Sequence, residues 1–265
     1  MADDAVLYES EGGVATLTLN RPENRNSMTA DVLIAFHECI RRLREDSELR
    51  AVVITGRGSS FCAGADFKSG SGLFVGGGPS PRLPHEAALR TYAAFLALLD
   101  VEVPILAAMN GHAIGGGFGL ALVCDIRVAN REAKYGANFA RLGIHSGMAI
   151  SYLLPRIVGV ARAADMLFSG RILTGTEAEA IGLVHCAVSA EEVANEAKRR
   201  AREIASCAPL AVRLMKRSLY RGMNWDPRTA AEHEAWAQSA TFASEDAKEG
   251  IRALLEKREP RFQGK

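Results

Sequence analysis

Two runs constrain this chain more than any others: "AVVITG" at residues 51–56 and "ILAAMNG" at 105–111 are apolar without alternation, and both end in glycine. A strand with no polar face is covered on both sides, as parallel strands inside an α/β sheet are. Between the runs, residues 86–99 follow a helical pattern. After them, "FGLALVC" implies a further helix and "DIRVA" a further strand. Strand, helix, strand, helix, strand in that order predicts an α/β fold with right-handed crossovers. At the N-terminal end, "AVLYES" and "VATLTLN" read as two strands of a hairpin turned by Gly12 and Gly13, and residues 29–45 space Val32, Leu33, Phe36, Ile40 and Leu43 along one helix face behind Thr29 as N-cap.

From about Ala161 the pattern becomes almost wholly helical, with "VHCAV" as the exception. The expected organisation is a core over residues 1–200 and a helical region over 201–265. The 265 residues carry 32 Lys and Arg against 31 Asp and Glu, so no net field draws the chain to nucleic acid or to an anionic membrane. Five scattered cysteines in no ligand spacing read as reduced thiols. No targeting segment and no apolar run long enough to span a bilayer are visible, and a cytoplasmic location is the expectation. The stretch Ser69–Pro84, rich in glycine and proline, is expected to be an irregular loop that closes a pocket.

The glycines carry the chemistry. "FCAGADFK" follows the first apolar run and "GHAIGGGFG" the second, and each opens toward a helix. A glycine there turns the backbone and leaves the next N–H groups unpaired where the helix dipole favours negative charge. Two such groups converging on one point would hold the oxyanion of an attacked or enolised carbonyl. Close packing of strand on helix is the competing explanation for "GGG" taken alone. A phosphate loop is not indicated, since neither GxxxxGK[ST] nor GxGxxG follows the first strand.

Taken together, "RPENRNSM", "GRGSSFCAGADFKS", "PILAAMNGHAIGGGFGLALVCDIRVA", "LTGTEAEAIGLVHCAV" and "ASEDAKEGIRALLEKREPRF" resemble the crotonase superfamily, the enoyl-CoA hydratase and isomerase group, over about residues 5–262. The resemblance implies a crotonase-like spiral of ββα units with a helical C-terminal trimerisation region, assembled as a homotrimer or a dimer of trimers. It implies an acyl-CoA substrate, with coenzyme A as part of that thioester and no permanently bound cofactor. The oxyanion donors would be the N–H groups of Ala65 and Gly116. Coenzyme A contacts would fall on Arg25, Asn26, Ala63, Asp66 and Lys68, with Lys257 meeting a phosphate, commonly from a neighbouring subunit. Read without the resemblance, Asp66 is a local helix cap and Lys257 a cation at a helix end.

The resemblance also shows what is missing. The two hydratase glutamates would stand at positions that here hold Gly119 and Phe139, and the aspartate of several isomerases falls on Gly147. His145, in "GIHSG", is the remaining candidate acid or base, because imidazole exchanges a proton near neutral pH. Its alternative is a loop histidine at the pocket wall or a subunit contact. His112 reads as structural, His233 and Glu234 as a helix face, Tyr135 as a core aromatic, and Trp225 and Trp236 as packing residues. Three functions follow: an enzyme working through a thioester enolate, a noncatalytic acyl-CoA binder, or a hydrolase or decarboxylase using the same oxyanion hole.

Overall fold

A computed structural model describes residues 4–66 and 83–265. Strands β1 (Val6–Glu11) and β2 (Val14–Leu19) pair antiparallel through a two-residue turn. Gly12 and Gly13 both have positive φ there, 58° and 78°, as a turn matching the strand twist requires. Helix α1 (Ala30–Glu45) buries Val32, Leu33, Phe36, Cys39, Ile40 and Leu43, the stripe its spacing predicts.

Three strand–strand–helix units then follow. They are β3 (Ala51–Gly56), β4 (Ser60–Cys62) and α2 (Pro84–Leu96); β5 (Ile105–Met109), β6 (His112–Ile114) and α3 (Gly116–Val123); and β7 (Ile126–Asn130), β8 (Lys134–Gly136) and α4 (Ile150–Val158), the last preceded by a 3-10 turn over Asn138–Leu142. The chain continues through α5 (Val160–Ser169), β9 (Ile172–Thr174), α6 (Gly175–Ala180) and β10 (Cys186–Val188). It ends in four helices, α7 (Val193–Ala205), α8 (Pro209–Gly222), α9 (Pro227–Phe242) and α10 (Glu245–Glu256).

Each unit gives one strand to each of two sheets. The larger sheet has the order β1-β2-β3-β5-β7-β10 and the smaller β4-β6-β8-β9. From β2 to β10 every pair of the larger sheet is parallel. The two unalternating runs are therefore central strands, covered on both faces. Val52, Ile54, Ala107 and Met109 join the main core on one side. Ala51, Val53, Leu106, Ala108 and Val128 face α7 on the other.

Helix α7 meets that face with Val193, Ala197, Ala201 and Ala205, all buried and four residues apart. This stripe runs past residue 200, so α7 is part of the core along its whole length, and the helices that stand apart from the sheet begin with α8. Lys216 ties α8 down. Its Nζ donates to Asp125 Oδ2 and to the Val103 carbonyl, both at 2.8 Å, while Asp125 Oδ2 also accepts from Ile105 N–H at 2.6 Å. Farther on, Trp236, Phe242, Leu254 and Leu255 are 60, 66, 78 and 78% exposed, an apolar surface on the last two helices. Among the described residues no helix is long and apolar enough to cross a membrane.

Candidate active site

The site begins with a turn that the sequence forces. Arg25 and Asn26 are both left-handed, with φ of 61° and 56°, a conformation Asn tolerates better than most residues. The Asn26 side chain, fully buried, then holds three strands of chain together. Its Oδ1 accepts from Arg21 N–H at 2.9 Å, and its Nδ2 donates to the carbonyls of Arg57 at 3.0 Å and Ser60 at 2.8 Å. This turn grips the one that follows β4: Ala63 N–H donates to Arg25 O at 3.0 Å and Met28 N–H to Gly64 O at 2.8 Å.

The second glycine turn closes on the first. Gly64 has φ 83°, and a Cβ there would lie 2.9 Å from Gly116 N and 2.7 Å from Ile114 O. A Cβ on Gly117 would stand 2.0 Å from the Cys62 carbonyl oxygen. These glycines let two backbone turns touch, and that contact requires the absence of side chains. Gly116 is the first residue of α3, so its N–H has no partner within the helix. Ala65 N–H has no backbone acceptor among the described residues. Both residues line one cavity of about 430 Å³, a size within the range of small-molecule sites.

Arg25, Ala63 and Asp66 line the same cavity, together with Met28, Tyr92, Phe139, Leu142, Gly147 and Met148. Three expected residues stand elsewhere or outside the description. Asn26 does not line the cavity, because its side chain is committed to the turn. Lys68 lies outside the described residues, as does Ser69–Pro84 for most of its length. Lys257 is exposed at the C-terminal cap of α10, in a left-handed conformation with φ 54°. It is not part of the lining of the cavity in its own chain.

His145 is also outside the lining. It is exposed, with Nδ1 2.7 Å from the Ser146 carbonyl oxygen. The segment that carries it, residues 142–148, turns Gly147 and Met148 inward instead, with Leu142 on the lining but half exposed. The other named histidines are engaged in the fold. His112 Nδ1 accepts from Lys134 N–H at 2.9 Å, and His233 lies between the rings of Trp225 and Trp236. Tyr135 is fully buried, donating to the Met109 carbonyl at 3.0 Å.

At positions 119, 139 and 147 the space a carboxylate would need is taken by apolar or aromatic groups. A Cβ on Gly119 would stand 2.5 Å from Met148 Cβ. Phe139 is itself buried and closes the wall beside Gly115. A Cβ on Gly147 would stand 2.4 Å from the Tyr92 hydroxyl oxygen. Burial pushes the Tyr92 phenol above its ordinary pKa. Beneath the turns, burial pushes the Cys62 thiol up to about 12, so it is no nucleophile at neutral pH. Tyr92, Met28 and Met148 escape a sequence reading, because each lies in a run whose spacing speaks only of helix or turn.

Comparison with known proteins decides the family. A model of the enoyl-CoA hydratase/isomerase family matches residues 9–265. The chain belongs to that family. It is 37% identical to a short-chain-enoyl-CoA hydratase of Clostridium acetobutylicum, over 96% of this chain and 95% of that one. To a crotonyl-CoA hydratase of Syntrophomonas wolfei it is 36% identical, over 99% of both. The crystal structure of an enoyl-CoA hydratase from Bacillus anthracis superposes with a TM-score of 0.91 at 31% identity, covering 98% of this chain and all of that one. The two-sheet arrangement with its terminal helices is thus the fold of the enoyl-CoA hydratases, and the chain is an enzyme of the hydratase/isomerase family.

Proposed function

We propose that this enzyme binds acyl-CoA thioesters and holds the thioester oxygen between the N–H groups of Ala65 and Gly116, so that negative charge developing there as an enolate is stabilised. The observation that carries the reading is the contact between the two glycine turns, which brings both N–H-bearing residues to one cavity wall. Donors fixed by backbone need no reorganisation as charge develops, and one such donor is worth about 100-fold to 1000-fold. Coenzyme A arrives as part of the substrate, with Arg25, Ala63 and Asp66 beside its path. No resident cofactor enters the scheme. The exposed apolar surface of α9 and α10 is the face for a homotrimer or a dimer of trimers, an arrangement that gives Lys257 a role toward a neighbour's ligand.

Isotope-edited infrared spectroscopy of a bound thioester labelled at its carbonyl tests the hole. The stretch falls in frequency on binding, and an unshifted band overturns the assignment.

The same reading makes the protein a poor hydratase of crotonyl-CoA, even though its relatives carry hydratase names. Hydration needs one group to activate water and another to protonate the α-carbon, each worth about 100-fold to 10,000-fold. Gly119 and Phe139 supply neither. Loss of crotonyl-CoA absorbance is therefore expected to be slow. A kcat/KM near the upper end of the ordinary enzymatic range of about 10⁴ to 10⁸ M⁻¹s⁻¹ would overturn the reading.

A further inference from the structure

We infer that the Tyr92 hydroxyl is the group that exchanges a proton with the α-carbon of the bound acyl chain. The inference rests on the thioester reading above and names the proton carrier of that site.

Four observations carry it. First, Tyr92 lines the cavity that Ala65 and Gly116 share, so a thioester carbonyl held at the hole puts its acyl chain against the same walls. Second, Gly147 leaves the room that the hydroxyl takes. A Cβ at 147 would stand 2.4 Å from Tyr92 Oη and 2.8 Å from Cζ, so any larger residue displaces the phenol. Third, the other proton-bearing groups on the lining are placed differently. Glu23 and Arg25 are exposed and sit on the turn after β2, and Asp66 sits on the turn after β4. The Ser27 hydroxyl donates to the Asn24 carbonyl at 2.7 Å, and the Thr91 hydroxyl to the Ala87 carbonyl of its own helix at 3.3 Å. His145, two residues from Gly147, faces outward. Fourth, burial raises the pKa of the phenol. Helix α2 is fixed against α1 by the edge-to-face pair Phe36–Phe95, with centroids 4.9 Å apart, and Phe95 lies one turn from Tyr92.

The step balances without a further reactant. The electron pair of the enolate carbon forms the new C–H bond with the Tyr92 proton, and the carbonyl re-forms in the hole. The phenolate left behind takes a proton from water. In reverse, the phenolate removes the α-proton and the electron pair moves onto the carbonyl oxygen. A phenol that stays protonated at neutral pH gives a proton more readily than it takes one.

The test is exchange of the α-hydrogens of butyryl-CoA in D₂O, followed by mass spectrometry, with the Kd of butyryl-CoA measured alongside. The wild-type protein is expected to exchange faster than a protein-free blank, at a rate still climbing at the alkaline end of its stable range. Tyr92→Phe should bind butyryl-CoA unchanged and lose at least about 100-fold in exchange, the size of one positioned proton carrier. Gly147→Ala should lose exchange likewise by displacing the ring, and it stands in if the Phe variant does not fold. Exchange that survives both substitutions overturns the inference, as does wild-type protein that binds butyryl-CoA and exchanges nothing. Absence of butyryl-CoA binding by the wild type would instead overturn the thioester reading, and the inference with it.

Discussion

The two walls of the cavity are made from different material. One is backbone: the turns at Gly64 and Gly116 present N–H groups, and the glycines around them serve only to let main chain approach main chain. The other is side chain: Phe139, Met148 and Tyr92 come from a 3-10 turn, a left-handed turn and the middle of a helix. A backbone wall tolerates almost no added atom, whereas a side-chain wall can be rebuilt residue by residue. On the function proposed above, the difference separates what holds the substrate from what acts on it.

The largest effect should come from filling the backbone contact. Gly117→Ala puts a Cβ 2.0 Å from the Cys62 carbonyl oxygen, which is main chain and cannot step aside. A loss of more than about 3 kcal/mol in stability is expected, from the overpacking of a buried site. Denaturant unfolding measures it, and an unchanged midpoint would mean that the two turns do not touch as described.

Gly116→Pro is next, and it acts on chemistry. Proline removes one N–H donor, and its Cβ would stand 2.4 Å from Met28 Sδ, the mobile end of a side chain. Thioester turnover, or α-hydrogen exchange where no turnover is found, should fall by about 100-fold to 1000-fold in a folded variant. Unchanged rates would place the hole elsewhere and erase the distinction between the walls.

The smallest effect belongs to a charge far from both walls. On α7, Arg199 and Arg200 hold the Glu196 carboxyl down at about 2, at distances of 2.8 and 2.6 Å. A depressed carboxylate adds stability above its unfolded pKa and loses it as pH falls through about 2. With both arginines partly solvated, Glu196→Gln should cost under about 1 kcal/mol at neutral pH. Its stability curve should converge with the wild-type curve in acid. A loss of several kcal/mol would show that the helix face counts for more than the core beneath it.

The same division explains what the sequence could convey. A period of 3.6 marked α1 and the terminal helices, strand-like runs joined by glycines marked the opening hairpin, and unbroken apolar runs without alternation marked the two central strands. The smaller sheet escaped: β4, β6, β8 and β9 have three residues each, too few to display any alternation. The backbone wall was legible because a glycine required by close approach has no substitute, and Ala65 and Gly116, which the resemblance singles out, both line the cavity. The side-chain wall was not legible. Tyr92 and Gly147 lie more than fifty positions apart, and only the packing of α2 against the 142–148 segment brings them together. His145 illustrates the same gap: it stands in the right segment, but the chain turns its neighbours inward instead.

The sharing of each strand–strand–helix unit between two sheets has a consequence for how the molecule opens. A unit cannot leave one ladder and keep the other, because β3 and β4, β5 and β6, and β7 and β8 are joined by links of a few residues. Local fluctuations that would release a single short strand elsewhere must here break hydrogen bonds in both ladders at once, so the amides of the small sheet borrow the resistance of the large one against exchange with solvent. Ala65 and Gly116 stand within three residues of the ends of β4 and β6, so the alignment of the two N–H groups proposed as donors shares that resistance.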